Sequence, residues 1–575
     1  MTAFSSSSAA TTSLVDSAPY ISFEPLPSKD QASENVAPSA GKLERLEVVQ
    51  PSRNATAARP EQSLWRASLI IGTLSGITLT SSMTTGLLTV ALPTMAADLG
   101  LSDALLLWPA SVYGLTSGCS LMIAGAIADV VGSRVVYLVG CFLLTGFILG
   151  SGFAETSTQL IAFRGGQGVA VSMCLPTAMS LLSLYLPKGR RRNVGFAFVG
   201  AGQPLGYSVG LFLGGFFVDS IGWKYGWYLS ACVAFIVFVI GIFGLPKENT
   251  GAVREAKMRK VVFGIDWVGA ILASASLGML SYVLAVISND TSSIREAPQI
   301  VLLSIALTCI LAFAFWMERQ QRRGKPALIP NSLWKTTAFS SICVMVLLTW
   351  AILQSIEYLQ SLYFQRVQGV SAIQTSLYFI PNIIIGVVLS VATGFILHRI
   401  SVYWLVLIAC CLTAVAPLLM AVNDPDWSYW YASFLAVLLS PLSGDSTCPF
   451  DFTTGGQLLI VYRPLALFVV SALVITSTFP DNTQALAGAV FSTFSQFGTA
   501  VGLTVVAVIS SSVSQSSAAS HAHSRMVAED ATYASQNLLE GYQASFWALF
   551  GAAILTCAIG AFGLRDVSNK GMKKD

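Results

Sequence analysis

A lone arginine lies inside one of the long apolar segments of the chain. Arg164 comes near the start of the apolar run from Thr158 to Ser183, and at about 1.5 Å per residue it lies about 9 Å along a membrane-spanning helix. A cation at that depth is costly unless it faces a protein interior or a water-filled cavity. Gln167 follows three residues later on the same helix face. Both are candidate cavity or coupling residues; the alternative is an arginine that reaches the lipid headgroups and only anchors its helix.

A single carboxylate marks another apolar run. Glu357 is the clearest carboxylate within the predicted spans, and Gln354 lies three residues before it on the same face of the run 337–364. A carboxylate inside a membrane is typical of ion or proton pathways. The pair is therefore a candidate coupling or substrate site. The alternative places Glu357 beside the outer headgroups.

Four glycines recur at every fourth residue in the run 193–218. Gly202, Gly206, Gly210 and Gly214 would form one ridge of a helix, against which another backbone can approach closely. Pro204 interrupts the start of this glycine ridge and allows a bend. Static close packing alone also explains such a pattern, so the ridge by itself does not establish a gating role.

The overall composition is that of a membrane protein. Hydrophobic residues make up 54% of the 575 residues, charged residues make up 11%, and the mean hydropathy is +0.68. This composition predicts a polytopic all-α membrane protein. The net charge of +3 indicates no nucleic-acid partner. The ten cysteines lack metal-ligand spacing, and we expect no metal, no cofactor and no enzyme activity.

Apolar runs of about twenty residues predict fourteen membrane spans. They lie at 67–93, 104–127, 134–153, 158–183, 193–218, 225–245, 264–288, 299–317, 337–364, 372–397, 401–422, 429–479 with an interruption, 484–510 and 541–564. With this assignment, the loops on one side hold sixteen lysines and arginines and those on the other side hold four. The positive-inside rule then places the basic loops and both termini in the cytoplasm.

Some segments fall outside the regular spans. Residues 1–64 are rich in Ser, Ala, Thr and Pro and predict a disordered cytoplasmic tail, and residues 566–575 form a second cytoplasmic tail. Polar residues at 446–465 interrupt the twelfth span. Neither two spans nor one span of that length fits there, so we expect an insertion, either a retained intron in the gene model or a real loop. Asn289 begins a sequon in an outer loop and is an expected glycosylation site.

Three motifs resemble those of a known family. Gly125-Ala-Ile-Ala-Asp129-Val-Val-Gly132-Ser-Arg134 resembles the loop between helices 2 and 3 of the major facilitator superfamily, although Val130 and Ser133 replace two usual basic residues. Arg164-Gly-Gly-Gln167-Gly168 looks like the family's helix 4 motif. Gly200-Ala-Gly202-Gln203-Pro204-Leu-Gly206 looks like its helix 5 antiporter motif. With fourteen spans, the chain is similar to the fourteen-helix drug:proton antiporter branch, particularly its fungal members.

The resemblance implies a fold and a domain order. The fold would have two six-helix bundles plus two extra central helices, with an N-terminal bundle at 65–247, the extra helices and cytoplasmic loops at 248–336, and a C-terminal bundle at 337–565. It implies gating roles for the first motif and for the glycine ridge. The ridge would pack against the predicted helix 372–397, and Gly114 and Gly118 would face Gly498 and Gly502.

The resemblance also implies a function. The chain would be a monomeric, proton-driven multidrug antiporter that moves small, largely apolar organic compounds out of the cell by alternating access. Its expected location is the plasma membrane, with an endomembrane as the alternative. Thr84 stands where many bacterial relatives carry an aspartate, which leaves Glu357 as the candidate proton carrier. The other functions considered are an importer of a nutrient or iron chelate and a non-transporting membrane receptor.

Overall fold

The computed structural model describes residues 64–186, 190–246, 266–289, 295–323, 334, 337–385, 402–440, 481–522 and 530–563. These residues contain fourteen α-helices and confirm the all-α architecture. In chain order they are α1 Leu64–Leu99, α2 Trp108–Val131, α3 Ser133–Gly152, α4 Ser157–Tyr185, α5 Arg190–Ser220, α6 Trp223–Gly244, α7 Trp267–Asn289, α8 Ala297–Arg322, α9 Thr337–Leu362, α10 Ala372–Tyr378, α11 Val402–Ala421, α12 Ser433–Leu439, α13 Asp481–Ala522 and α14 Asp530–Gly563. A π-helical turn, Tyr363–Val367, continues α9.

Several predicted features lie outside the described residues. These are the tail 1–63, the segment 446–465 and the C-terminal tail 566–575. The side chains of Asp129 and Asn289 also lie outside the description, although their backbones belong to α2 and α7.

The helices have the length and composition of membrane spans. Ten helices in the described ranges are long and apolar enough to cross a bilayer, and three shorter apolar helices lie at Trp267–Leu280, Ala372–Ile385 and Leu407–Ala421. Burial separates central from peripheral spans. The most apolar stretch of α9 is 61% buried within the protein, whereas that of α8 is 11% buried. α9 is therefore a core helix, and α8 presents most of its apolar surface outward.

Local chemistry explains several helix ends. Thr156 begins α4 by accepting a hydrogen bond from the Gln159 backbone N–H at 3.3 Å. Gly132 separates α2 from α3 with φ of +114°, a backbone conformation that residues with a Cβ rarely adopt. This conformation gives a physical reason for the glycine in the first motif.

The N-terminal part, here α1 to α6, and the C-terminal part, here α9 to α14, pair their helices in a similar way. In the N-terminal part α1 packs on α5, and α4 packs on α2 and α3; in the C-terminal part α9 packs on α13 and α11 packs on α14. Glycines mediate the α1–α5 and α9–α13 contacts. A Cβ at Gly206 would overlap the Leu79 carbonyl of α1, and a Cβ at Gly498 would overlap the Leu347 carbonyl of α9.

The structure corrects part of the expected pairing. The glycine ridge packs on α1, not on the helix that begins at Ala372, which touches α5 at the neighbouring Gly215. Gly114 and Gly118 lie against α13 as expected, but they meet Gln496 and its neighbours. Gly498 and Gly502 face α9 instead. Glycine spacing indicates close approach without identifying the partner helix.

The helices α7 and α8 lie beside the junction of the two parts. α7 contacts both α2 and α13, and α8 packs on α7. The Ser274 hydroxyl donates to the Cys119 carbonyl at 2.9 Å, and the Cys119 thiol lies 3.8 Å from the Ser274 carbonyl. α7 thus has neighbours in both parts of the chain, while α8 remains peripheral.

α13 and α14 extend beyond their predicted spans. The serine-rich end of α13 stays helical to Ala522, and α14 begins at Asp530. The two extensions support each other, since Ser517 donates to Glu540 and Gly541 lies against Ser514 and Ser510. The apolar criterion ends a predicted span where serine becomes frequent, although serine can continue a helix that packs on a neighbour.

Candidate functional site

A chamber lies where the two parts of the chain meet. Six helices enclose it: α1, α2, α4, α5, α9 and α13. Its walls are Thr78, Ser81, Ser82, Thr85, Ala110, Tyr113, Val171, Leu175, Gln203, Pro204, Tyr207, Trp350, Leu353, Gln354, Glu357, Tyr358, Gln496, Thr499 and Leu503. The chamber volume is about 90 Å³, which is small beside the roughly 300–1,000 Å³ of many ligand pockets. A sizeable ligand would therefore require the walls to move.

Glu357 is the one charged residue in the described lining of this chamber. It is only 3% exposed, and the Gln354 side-chain N–H donates to its Oε2 at 3.3 Å. The Tyr207 hydroxyl interacts with Glu357 and lies 3.3 Å from Thr89 Oγ1. These contacts place Glu357 in the chamber between the two parts of the chain.

Arg164 is buried completely. Its Nη1 donates to Gln167 Oε1 at 2.9 Å, and its Nε donates to the Pro109 carbonyl at 3.2 Å. The guanidinium also lies 4.4 Å from the centre of the Tyr113 ring, a distance suited to a cation–π interaction. Arg164 therefore ties α4 to the start of α2 and does not extend to the headgroups.

Gln167 continues this network into α3. Its Nε2 donates to Ser151 Oγ at 2.8 Å and to the Phe147 carbonyl at 3.2 Å. One guanidinium nitrogen of Arg164, Nη2, has no hydrogen-bond partner among the described residues. The network gives partners to Nε and Nη1 of Arg164. It leaves Nη2 buried without one among the described residues, and a buried donor without an acceptor is costly.

The two predicted pairs approach each other through tyrosines. Tyr358 has electrostatic interactions with both Arg164 and Glu357, and Tyr113 stands between Arg164 and the chamber. The sequence does not single out Tyr113, Tyr207 and Tyr358, since a tyrosine in an apolar run is also common in a packed core. A signal that could have found the chamber is the run of serines and threonines from Thr78 to Thr89.

The first motif connects α3 with α6. Arg134 Nε donates to the Leu245 carbonyl at 3.0 Å, and its Nη2 donates to the Ile242 carbonyl at 2.9 Å. A cation at the C-terminus of a helix also interacts favourably with the helix dipole. Gly125 lies against Pro176 of α4 at the limit of contact. The residues of the motif, on α2 and α3, thus contact α4 and α6, which brings together four helices of the N-terminal part.

The glycine ridge forms one wall together with α1. Added Cβ atoms at Gly206 and Gly210 would overlap the carbonyls of Leu79 and Met83, and those at Gly202 and Gly214 would come within 2.9 Å of α1 carbonyls. Pro204 lies on the same helix and lines the chamber. The backbones of α1 and α5 are therefore in direct contact along the chamber wall.

Polar contacts seal the chamber at the end that holds residues 99–108, here called the distal end. The Ser361 hydroxyl donates to the Thr89 carbonyl at 2.7 Å, and Gln365 Nε2 donates to the Val90 carbonyl at 3.0 Å. The Ser376 hydroxyl donates to the Leu211 carbonyl at 2.6 Å. Two carboxylates add to the seal: Asp219 accepts from the Ile373 N–H at 2.8 Å, and Asp103 pairs with Arg366.

Comparisons with known proteins give consistent results. A sequence model of the Major Facilitator Superfamily matches residues 74–449. MFS-type transporter 1 of Pyricularia oryzae is 40% identical over 536 residues, covering 87% of this chain and 84% of that protein. The low affinity ammonium transporter of Saccharomyces cerevisiae is 24% identical, covering 85% and 90%. The cephamycin export protein CmcT of Amycolatopsis lactamdurans is 28% identical, covering 74% and 82%.

A solved structure shares the fold. A bacterial homologue of the human lysosomal transporter Spinster, captured inward-facing and unoccupied, aligns with a TM-score of 0.57 and 15% sequence identity. The alignment covers 88% of this chain and 98% of that chain. At this identity the similarity concerns the fold alone.

Proposed function

The chain belongs to the Major Facilitator Superfamily, a family of membrane transporters and not of enzymes, and from that premise we propose that it is a proton-driven exporter of small organic compounds. It would belong to the fourteen-helix drug:proton antiporter branch. The two parts of the chain would rock around the chamber, so that it opens to each side of the membrane in turn.

The position of Glu357 carries this proposal. The carboxylate lies in the chamber between the two parts of the chain, beside Gln354 and Tyr207. A protonated carboxyl group is neutral, so the chamber could change access without moving a bare charge through an apolar passage. A proton that binds from one side would then leave on the other side. Tyr358 interacts with both this carboxylate and the buried Arg164.

The direction of transport is inferred from the relatives and from the helix 5 motif. One relative is described as an export protein, while another is described as an ammonium transporter. The helix 5 resemblance at Gly202 to Gly206 favours export. Import of a nutrient or iron chelate is the alternative, and the direction of flux under an imposed pH gradient distinguishes the two.

Replacing Glu357 by glutamine is expected to abolish gradient-driven transport and to preserve folding. Glutamine keeps the size and the contact with Gln354 but cannot exchange a proton. The measurement is substrate flux in proteoliposomes with an imposed pH gradient, compared with exchange of substrate without a gradient. The gradient-driven component should disappear.

The matched control for this variant is Glu318→Gln. Glu318 lies on the peripheral helix α8, where it pairs with the exposed Arg322. Flux in this control should stay at the wild-type level. Full gradient-driven flux in the Glu357→Gln variant would contradict the assignment of the proton to Glu357.

Orientation provides a further test of the proposal. If the basic loops face the cytoplasm, Asn289 at the end of α7 faces outside and is glycosylated. Peptide N-glycosidase should then lower the apparent mass of protein made in a eukaryotic host, and Asn289→Gln should remove this shift. An apparent mass that the glycosidase does not change, together with an N-terminus that is accessible from outside intact cells, would contradict the orientation.

A further inference from the structure

The hydroxyl groups in the chamber wall offer mainly hydrogen-bond acceptors to a ligand in the chamber. Thr78, Ser81 and Thr85 of α1 each donate to a carbonyl of their own helix, at 3.3, 3.4 and 3.3 Å. Thr499 of α13 does the same at 3.3 Å. Because each hydroxyl has a single proton, these four groups have only oxygen lone pairs left for a ligand.

Two of the three tyrosines in the wall, Tyr113 and Tyr207, have polar neighbours for their hydroxyl groups. The Tyr113 hydroxyl interacts with Ser81, whose own hydroxyl donates to the Thr78 carbonyl at 3.4 Å. The Tyr207 hydroxyl interacts with Thr89 and Glu357. Thr89 donates to the Thr85 carbonyl at 2.9 Å, so the Tyr207 proton points into the wall. The exceptions are the glutamine amides, which both donate and accept, and the Tyr358 hydroxyl, which has no hydrogen-bond partner among the described residues.

The charge of the chamber lining also favours a ligand that donates hydrogen bonds. Glu357 is an acceptor when ionised, and it is the charged side chain among the nineteen lining residues. Twelve of these nineteen are polar, which is a large share for a pocket that would receive apolar compounds. Arg164, the nearby cation, lies behind the Tyr113 ring and does not line the chamber.

We propose that the chamber recognises small organic cations rich in N–H donors, such as protonated primary amines, in preference to apolar neutral compounds. This inference rests on the proposed function in so far as the chamber is the transport site. The N–H groups would bond to the threonine and serine oxygens of α1, and the positive charge would lie beside Glu357. The small volume favours a compact ligand.

Three compounds of nearly the same shape test this inference. They are 2-phenylethylamine, which is a cation with N–H donors, its N,N,N-trimethyl derivative, which is a cation without N–H donors, and 2-phenylethanol, which is neutral. Equilibrium binding to the purified full-length protein in detergent at neutral pH is measured for each. We expect the primary amine to bind about tenfold more tightly than the trimethyl derivative and the alcohol to bind most weakly.

A substitution in the wall separates donor recognition from charge. Thr85→Val keeps the shape but removes one acceptor, and it should weaken the primary amine several-fold while leaving the trimethyl derivative unchanged. The control is Thr308→Val on α8, where the same type of hydroxyl donates to its own helix at 2.7 Å on an exposed face. It should change neither affinity.

The outcomes separate this inference from the proposed function. Equal or tighter binding of the alcohol, binding of none of the three compounds, or an equal effect of Thr85→Val on both cations would overturn the substrate class. Gradient-driven flux in proteoliposomes is scored independently. Binding of the amine without such flux would support the inference and contradict proton-driven export.

Discussion

Gradient-driven transport is expected to fall by about 10²-fold or more when Arg164 is replaced by alanine, because each hydrogen bond to a charged group contributes about 1.5–3 kcal/mol to the arrangement of the helices beside the chamber. The variant loses the bonds to Pro109 and Gln167 and the contact with Tyr113. The variant also no longer buries a cation, which removes an unfavourable desolvation energy. Gln167 keeps its bonds to α3, so the protein should still fold and reach the membrane. The measurements are transport in vesicles and the amount of protein at the cell surface.

Two further variants define the role of this arginine. Arg164→Lys should rescue poorly, since a single ammonium group cannot reproduce the planar guanidinium that bonds to two acceptors and lies over a ring. Arg319→Ala is the matched control, because Arg319 also lies over an aromatic ring, that of Trp316, but on the exposed end of α8. Normal transport in Arg164→Ala would leave the arginine with a purely structural role.

Transport should fall to background in Gly206→Leu, with a smaller loss in Gly206→Ala. Even the Cβ atom would overlap the Leu79 carbonyl, and a backbone atom cannot rotate aside as a side chain can. The α1 and α5 helices must separate, at a cost of about 1–3 kcal/mol or more. Both helices line the chamber, so their separation displaces hydroxyls of α1 from the wall. Transport per molecule in vesicles is measured, with thermal stability in detergent as a parallel readout.

A glycine in open space provides the comparison for this variant. Gly146 of α3 has no atom within 4 Å of an added Cβ, so Gly146→Leu should retain transport. Gly210→Leu should resemble Gly206→Leu, because its Cβ would overlap the Met83 carbonyl. Equal losses at Gly146 and Gly206 would mean that the ridge has no special role.

The helices were predictable because membrane spans need long apolar runs, and the described helices lie at the predicted positions. The exceptions are the ends of α13 and α14, where serine-rich and polar turns are held in helical form by the neighbouring helix and not by their own apolarity. A search for apolar runs finds the part of a helix that can contact lipid. It does not find where the helix ends.

The site was predictable only in part. Arg164, Gln167, Gln354 and Glu357 stand out because charged and amide groups are costly in an apolar run. Their partners do not stand out. The Pro109 carbonyl and the Tyr113 ring contact Arg164 only because α2 lies beside α4, and that adjacency is a property of the packed helices and not of either segment. The partner of the glycine ridge was assigned wrongly for the same reason.

Four hydrogen bonds between the two parts of the chain join a side-chain donor on one part to a backbone carbonyl on the other. Ser361, Gln365 and Ser376 donate from the C-terminal part, and Ser111 donates from the N-terminal part at 2.7 Å to Ala500. In these four bonds each acceptor is a backbone carbonyl, which every residue type supplies. Over evolutionary time the accepting positions Thr89, Val90, Leu211 and Ala500 can therefore exchange side chains without loss of these bonds, whereas a change at a donor removes one. Adaptation of the chamber to new compounds should meet less resistance along α1 and α5 than along the donor positions of α9 and α10.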